Sequence, residues 1–155
     1  MSIREWIIER VSRRAPDFVI GSQDDPYLLR WWIIPRNRFF NVYLHCFMRS
    51  DDDRALHDHP WTNLSILLRG RYVEHTIEEG GINVRTERIA PAWKFRPRGS
   101  YAHRLELVDG FCWTIFITGP RYRQWGFYCP ERGWVHWQDF TAPRNAGEIG
   151  KGCDQ

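Results

Sequence analysis

With 155 residues, including nine tryptophans, nine phenylalanines and six tyrosines, the chain has material for one well-filled core and calls for no second domain. A formal charge of +3 spread along the sequence argues against a clustered basic arm for nucleic acid, and no stretch approaches the roughly 20 apolar residues of a membrane span. Cys46, Cys112, Cys129 and Cys153 form no CxxC pair and read as reduced thiols; with charges where a leader peptide needs an apolar run, a soluble cytoplasmic protein is expected.

Ser2 to Arg14 reads as an amphipathic helix. Ile3, Trp6, Ile7, Arg10 and Val11 fall near one stripe, and Ser2 with Glu5 makes a capping-box pattern. Ala15-Pro16-Asp17 ends it, and its stripe is expected to pack on the outside of the main domain. From Tyr27 onward the period changes to two. Tyr27 to Ile34 and Phe39 to Arg49 read as strands joined at Pro35-Arg36-Asn37, the second with Phe40, Val42, Leu44, Cys46 and Met48 on one face and Asn41, Tyr43, His45 and Phe47 on the other. Asp51 to Asp53 read as a solvated hairpin tip. Further strands are expected at residues 61–68, 71–77, 82–89, 92–95, 102–108 and 111–118, punctuated by Glu79-Gly80-Gly81, Pro97-Arg98-Gly99 and Asp109-Gly110.

Short strands with frequent turns indicate a sandwich or barrel. The expected organisation is a helix and linker at 1–20, an all-β barrel with an aromatic C-terminal extension at 21–140, and a loose tail at 141–155. The aromatic run from Tyr122 to Trp137 reads as packing against the outside of a sheet, with a lid over the barrel mouth as the alternative.

The chemistry sits in two short stretches. His57-Asp58-His59 places two imidazoles at i and i+2, which share one face of a strand; on a helix they would diverge by about 200°. A third imidazole from another strand would complete a facial set of nitrogen donors, and Pro97-Arg98-Gly99-Ser100-Tyr101-Ala102-His103 offers one. Asp58 points to the opposite face and is expected to pair with an arginine. His45 reads as an ordinary hydrogen-bonded histidine, and His75 and His136 as structural or surface ones.

These residues resemble the cupins, small double-stranded β-helix (jelly-roll) barrels that hold a metal on inward-facing strand residues. His57, His59, Asn63 and Gly70 fit the spacing of that family's first motif, with Asn63 where a Glu is usual. Pro97, Gly99 and His103 resemble its second motif, with one extra residue before the histidine. The resemblance implies an all-β cupin barrel with one divalent metal ion on His57, His59 and His103. Fe(II) is favoured by analogy, while imidazole donors also accept Ni, Zn, Mn or Cu. A three-histidine site leaves open positions for substrate or dioxygen.

A narrower resemblance is to cysteine dioxygenase-type thiol dioxygenases, carried by Phe40-Asn41-Val42, Leu56 to His59, and Gly99 to Leu105. It implies that Arg30 binds a substrate carboxylate, a task suited to a planar guanidinium fork. The chain departs from that group where its crosslinking cysteine would align, near Asn63 or Leu64, and where Ile115 and Ile117 stand in place of a histidine and a tyrosine. Arg30, Trp61, Asn63, Ile115 and Ile117 are the expected substrate-contacting residues. The expected function is a metal-dependent, oxygenase-like enzyme acting on a small polar or anionic molecule. A non-catalytic metal- or ligand-binding cupin is the alternative; the metal triad argues against a metal-free isomerase or epimerase. No nucleic acid or membrane is expected as partner, and a homodimer through sheet pairing or the helix stripe remains open.

Overall fold

The computed structural model describes residues 1–22, 24–51 and 55–154. Helix α1 (Ile3–Ser12) begins at Ser2, whose side chain accepts from the Glu5 amide while Glu5 reaches back to the Ser2 amide. The expected capping box is therefore present, a device worth about 1 kcal/mol. Among the described residues fourteen strands follow: β1 (Phe18–Gly21), β2 (Pro26–Trp32), β3 (Asn41–Phe47), β4 (Leu56–His57), β5 (Asn63–Arg69), β6 (Arg71–Glu78), β7 (Ile82–Ile89), β8 (Ala92–Arg96), β9 (Arg104–Leu107), β10 (Cys112–Thr118), β11 (Gly126–Cys129), β12 (Gly133–His136), β13 (Thr141–Ala142) and β14 (Asn145–Ile149). A single helical turn, α2 (Trp137–Phe140), lies between β12 and β13.

One six-stranded antiparallel sheet runs β1-β2-β3-β10-β5-β8. Across the interior stand β7-β6-β9 and β12-β11-β4, brought side by side by one antiparallel bridge between His57 and His103. Alternation on the six-stranded sheet decides what each face buries. Trp31, Leu44, Cys46 and Leu68 point outward and form a core with Ile8 of α1, joined by Ile7, Val11, Ile66 and Ile115. Burying Ile8 alone is worth about 2 kcal/mol, and the Trp31 indole donates to the Arg14 carbonyl just beyond the helix. The helix thus covers the outside of the sheet as expected, but through Ile7, Ile8 and Val11; Ile3 and Trp6 are exposed. On the inner face, Leu67, Tyr72, Leu105 and Cys112 fill the space between the sheets.

Several expectations change. β1 (Phe18–Gly21) begins within the supposed linker. The tail beyond Thr141 is not loose: β13 pairs with β14, and β14 packs on β1. A disulfide joins Cys129 to Cys153, so the reduced-thiol reading behind the cytoplasmic expectation is corrected for that pair and holds for buried Cys46 and Cys112. Spacing gave no sign of the pairing because it needs the tail to fold back beside β11. Asp51 is buried, its carboxylate accepting from the Leu105 amide and the Tyr27 hydroxyl; Asp52 and Asp53, expected in the same solvated tip, lie outside the described residues. No helix among the described residues is long and apolar enough to cross a membrane.

Candidate metal centre

His57 ends β4 and exchanges both backbone hydrogen bonds with His103, each 2.9 Å. Two residues on, the His59 amide donates to the Gly99 carbonyl at 2.8 Å. A side chain at residue 99 is excluded by contact, because a Cβ there would lie 2.2 Å from the His59 carbonyl oxygen. The Pro-x-Gly turn therefore acts as a splice that seats the second motif against the first.

The three rings meet. Their centroids are 4.8 Å apart for His57 and His103, and 5.2 Å for both His57–His59 and His59–His103. One donor nitrogen from each lies within 4.8 Å of the others. Nε2 of His59 is 3.0 Å from Nε2 of His103. Two imidazole nitrogens bound to one cation at about 2.0–2.1 Å stand about 3.0–3.4 Å apart, so this pair already has the spacing of a shared cation, and the third ring needs only a small approach.

Buried carboxylates stand behind two of the rings. Oε1 of Glu74 is 3.2 Å from Nδ1 of His103, and the guanidinium of Arg96 bridges the two, hydrogen-bonded to the same oxygen and 2.9 Å from Nδ1. With its proton on Nδ1, His103 donates to Glu74 and aims the Nε2 lone pair at the cluster. Oδ2 of Asp51 lies 3.6 Å from Nδ1 of His57. Glu74 is further held by Arg88 at 3.1 Å. Burial raises the Glu74 carboxyl, but the His103 hydrogen bond and the Arg96 charge outweigh it and hold the group well below its usual range.

Burial, followed by the charge of Arg96, lowers His103 to about 3. Burial also lowers His57, and it lowers His59 far more, with help from the neighbouring imidazoles. All three are therefore neutral near pH 7, the protonation state that donates to a metal. The donor set, its protonation and its carboxylate backing fit one divalent cation.

The rings open onto a cavity of about 360 Å³ between the sheets. Arg30 faces it, donating from Nε to Nε2 of His45 at 2.9 Å and lying over the Tyr43 ring at 4.9 Å. Trp61 also lines it, as its parity with His57 and His59 implied. Ile115 and Ile117 do not. Ile115 packs outward toward α1, Ile117 shares its parity, and the cavity wall is formed instead by Thr114 and Phe116. The expectation chose the wrong one of two alternating faces, because both faces of β10 are covered. Asn63 is buried without reaching the cavity, and its amide oxygen accepts from Arg96 at 3.2 Å.

The aromatic extension is likewise corrected: Trp125, Phe127 and Trp137 form a cavity wall rather than packing outside. Asp58 behaves as expected, being fully buried and bound by Arg123, the Gly126 amide, Tyr128 and Trp134. It pins β11 and β12 against the histidine strand. Glu74 and Asp51 were missed from the sequence. The signal for Glu74 was there, since it shares strand parity with inward-facing Tyr72; for Asp51 no local pattern exists.

No protein-family model and no curated protein sequence matches this chain. Solved structures do. HppE in its Fe(II) form with the alternative substrate (S)-1-HPP superposes with a TM-score of 0.52 at 12% identity over 68% of this chain, which spans only 58% of that protein's length. A putative mannose-6-phosphate isomerase from Ralstonia eutropha JMP134 gives 0.52 at 11% identity, covering 71% of this chain and 94% of the other. Oxalate decarboxylase from Bacillus subtilis, described with Mn(II) centres, gives 0.52 at 13% identity over 76% of this chain and 31% of the other. Identities this low speak to the fold alone. This chain has the cupin jelly-roll fold with an added N-terminal helix.

Proposed function

We propose that this chain is a mononuclear metal-dependent cupin, oxygenase-like in its chemistry, that acts on an anionic small molecule. The observation carrying the proposal is the convergence of three neutral imidazoles, two of them backed by buried carboxylates, on the wall of a cavity between the sheets. His57, His59 and His103 would hold the cation, with Fe(II) favoured. When bound, such an ion supplies Lewis acidity or, as Fe(II), electron transfer with dioxygen.

The chain's own residues do the rest. Glu74 and Asp51 orient the rings of His103 and His57. Arg30 holds an anionic group of the substrate. Trp61, Phe116 and Phe127 exclude water from the reacting end. Thiol oxidation is the narrower version of this reading, supported by the resemblance of the two histidine motifs. A cytoplasmic setting and a homodimer complete it, the latter supported by exposed Trp93 and Phe95 on strand β8.

One observation favours a non-catalytic binding module instead. Among the described residues the only buried carboxylate lining the cavity is Asp51, already engaged by Leu105 and Tyr27, and the other lining carboxylate, Glu148, is exposed, so no free buried carboxylate stands ready. The deciding experiment measures metal content of the purified protein, then loads Fe(II) under argon and follows oxygen uptake with thiols and carboxylic acids. Uptake coupled to one acid class supports the enzyme. Stoichiometric metal with no uptake from any candidate supports the binding module, and a chain that binds no metal overturns both.

A further inference from the structure

Register across three neighbouring strands builds a short polar row inside the cavity. Arg30 of β2 stands opposite His45 of β3, and His45 opposite Thr114 of β10; all three line the cavity. The row carries two unmet demands. Among the described residues Arg30 has His45 and the face of Tyr43 as partners and no carboxylate, whereas the other cavity cations Arg96 and Arg49 each face one, Glu74 and Asp25. Thr114 is 1% exposed, yet its Oγ1 has no hydrogen-bond partner among the described residues. A desolvated cation without counter-charge and a buried hydroxyl without a partner are both costly until something supplies an anionic oxygen.

Away from that row most of the wall is apolar, with Arg49, Asp51, Ser65, Arg96 and Glu148 as polar exceptions. Leu28, Phe47, Phe116, Trp125, Phe127 and Ile149 contribute to it. Between the polar row and the metal ligands stands the ring of Phe116, stacked on His45 at 5.2 Å and 6.0 Å from His59. A two- or three-carbon acid leaves most of the roughly 360 Å³ unfilled, while an apolar body beside Phe116 fills it.

We propose that the cavity selects an amphipathic monoanion whose carboxylate is held by Arg30 and Thr114, whose aromatic or long aliphatic body lies along Phe116, and whose far end meets the three histidines. His45 is a positioning residue: by accepting from Nε it fixes the guanidinium so that the remaining edge of its fork faces the ligand. Thr114 and His45 are thus specificity determinants, and the substrate is larger and more apolar than the sequence-based expectation of a small polar molecule. The far-end clause rests on the proposed metal function; the head and body clauses do not.

The test is calorimetric titration of the intact protein with acetate, benzoate, 3-phenylpropanoate, 4-phenylbutanoate and the neutral 3-phenylpropan-1-ol. Affinity is expected to rise at least tenfold from acetate to the phenylalkanoates and to fall at least tenfold from 3-phenylpropanoate to its alcohol. Arg30→Gln removes the preference for acid over alcohol. Thr114→Val weakens the acid several-fold and leaves the alcohol unchanged. His45→Leu weakens the acid as Arg30→Gln does, and His45→Gln, which keeps an acceptor for Nε, restores it. Retained thermal unfolding midpoints show that each variant still folds, and Arg30→Lys gives a second, milder probe should Arg30→Gln fail to fold. Acetate binding as tightly as the aromatic acids, equal affinity for acid and alcohol, or no binding by any acid overturns the proposal. Metal content, read separately with His57→Ala, reports on the metal reading: a variant without metal that still binds 3-phenylpropanoate upholds the anion site alone.

Discussion

His57 and His103 exchange both of their main-chain hydrogen bonds, amide to carbonyl in each direction at 2.9 Å. This closed pair ties two stretches 46 positions apart in number at two of the three clustered histidines. In an antiparallel ladder such partners are directly opposite one another, so their imidazoles must emerge side by side. The cluster is therefore a consequence of main-chain register rather than of side-chain attraction.

Removal of any one ligand tests the cluster. His57→Ala, His59→Ala and His103→Ala are each expected to reduce bound metal from about one per chain to a small fraction. Glu74→Gln keeps the ligand set but loses the anion behind His103, and an affinity loss of about 10- to 100-fold is expected. Metal analysis after dialysis against a graded chelator reads both effects.

Gly99→Ala tests the splice between the motifs. A methyl group 2.2 Å from the His59 carbonyl oxygen cannot be accommodated without moving backbone. A stability loss above about 2 kcal/mol is expected, together with weaker metal binding, because His59 is displaced directly. Urea unfolding and metal content measured on the same sample check the pair.

Acid sensitivity follows from the buried imidazoles. Burial lowers His45 well below its ordinary value, as it does His59, and it also lowers His57 and His103. In the unfolded chain these groups titrate near 6.5, so as pH falls the unfolded state takes up protons first. Stability of the metal-free protein is full above about pH 6.5 and declines below it, each such histidine adding a slope of up to about 1.4 kcal/mol per pH unit. Glu74, also lowered, adds a further loss only below the carboxylate range. Urea midpoints in chelator from pH 7.5 to 5 should fall steadily, and a flat profile would contradict neutral burial of the four rings.

The cysteines divide into two classes. The Cys129–Cys153 link spans a sequence separation of 24, and its loss through Cys153→Ser is expected to cost about 3 kcal/mol and to loosen the tail, whose Ile149 lines the cavity. Burial pushes the thiols of Cys46 and Cys112 up to about 12 and about 11. The native protein should therefore resist thiol reagents, and two thiols should appear on unfolding without reductant.

The two faces of β10 can be separated by mutation. Ile115→Ala is expected to cost about 2 kcal/mol through its contact with the helix-side core, with metal and ligand binding unchanged. Phe116→Ala is expected to alter ligand affinity with α1 still docked. Tryptophan fluorescence, with Trp31 and Trp113 stacked at 5.6 Å beneath α1, reports the first effect; calorimetric titration reports the second.

The local pattern of the chain determined the helix with its cap, most of the strands, the shared face of His57 and His59, and the opposed direction of Asp58. These depend on dihedral periodicity and on neighbours one to four residues away, which a linear sequence displays. Only tertiary structure decided which face of β10 looks inward, because apolar packing covers both sides and removes the contrast that marks a solvent face. Tertiary structure also placed Asp51 and Glu74 behind His57 and His103, turned Trp125 and Phe127 into the cavity, and closed Cys129 onto Cys153. Each of these pairs residues from distant strands through register and sheet curvature, quantities fixed by the assembled barrel and carried by no single segment.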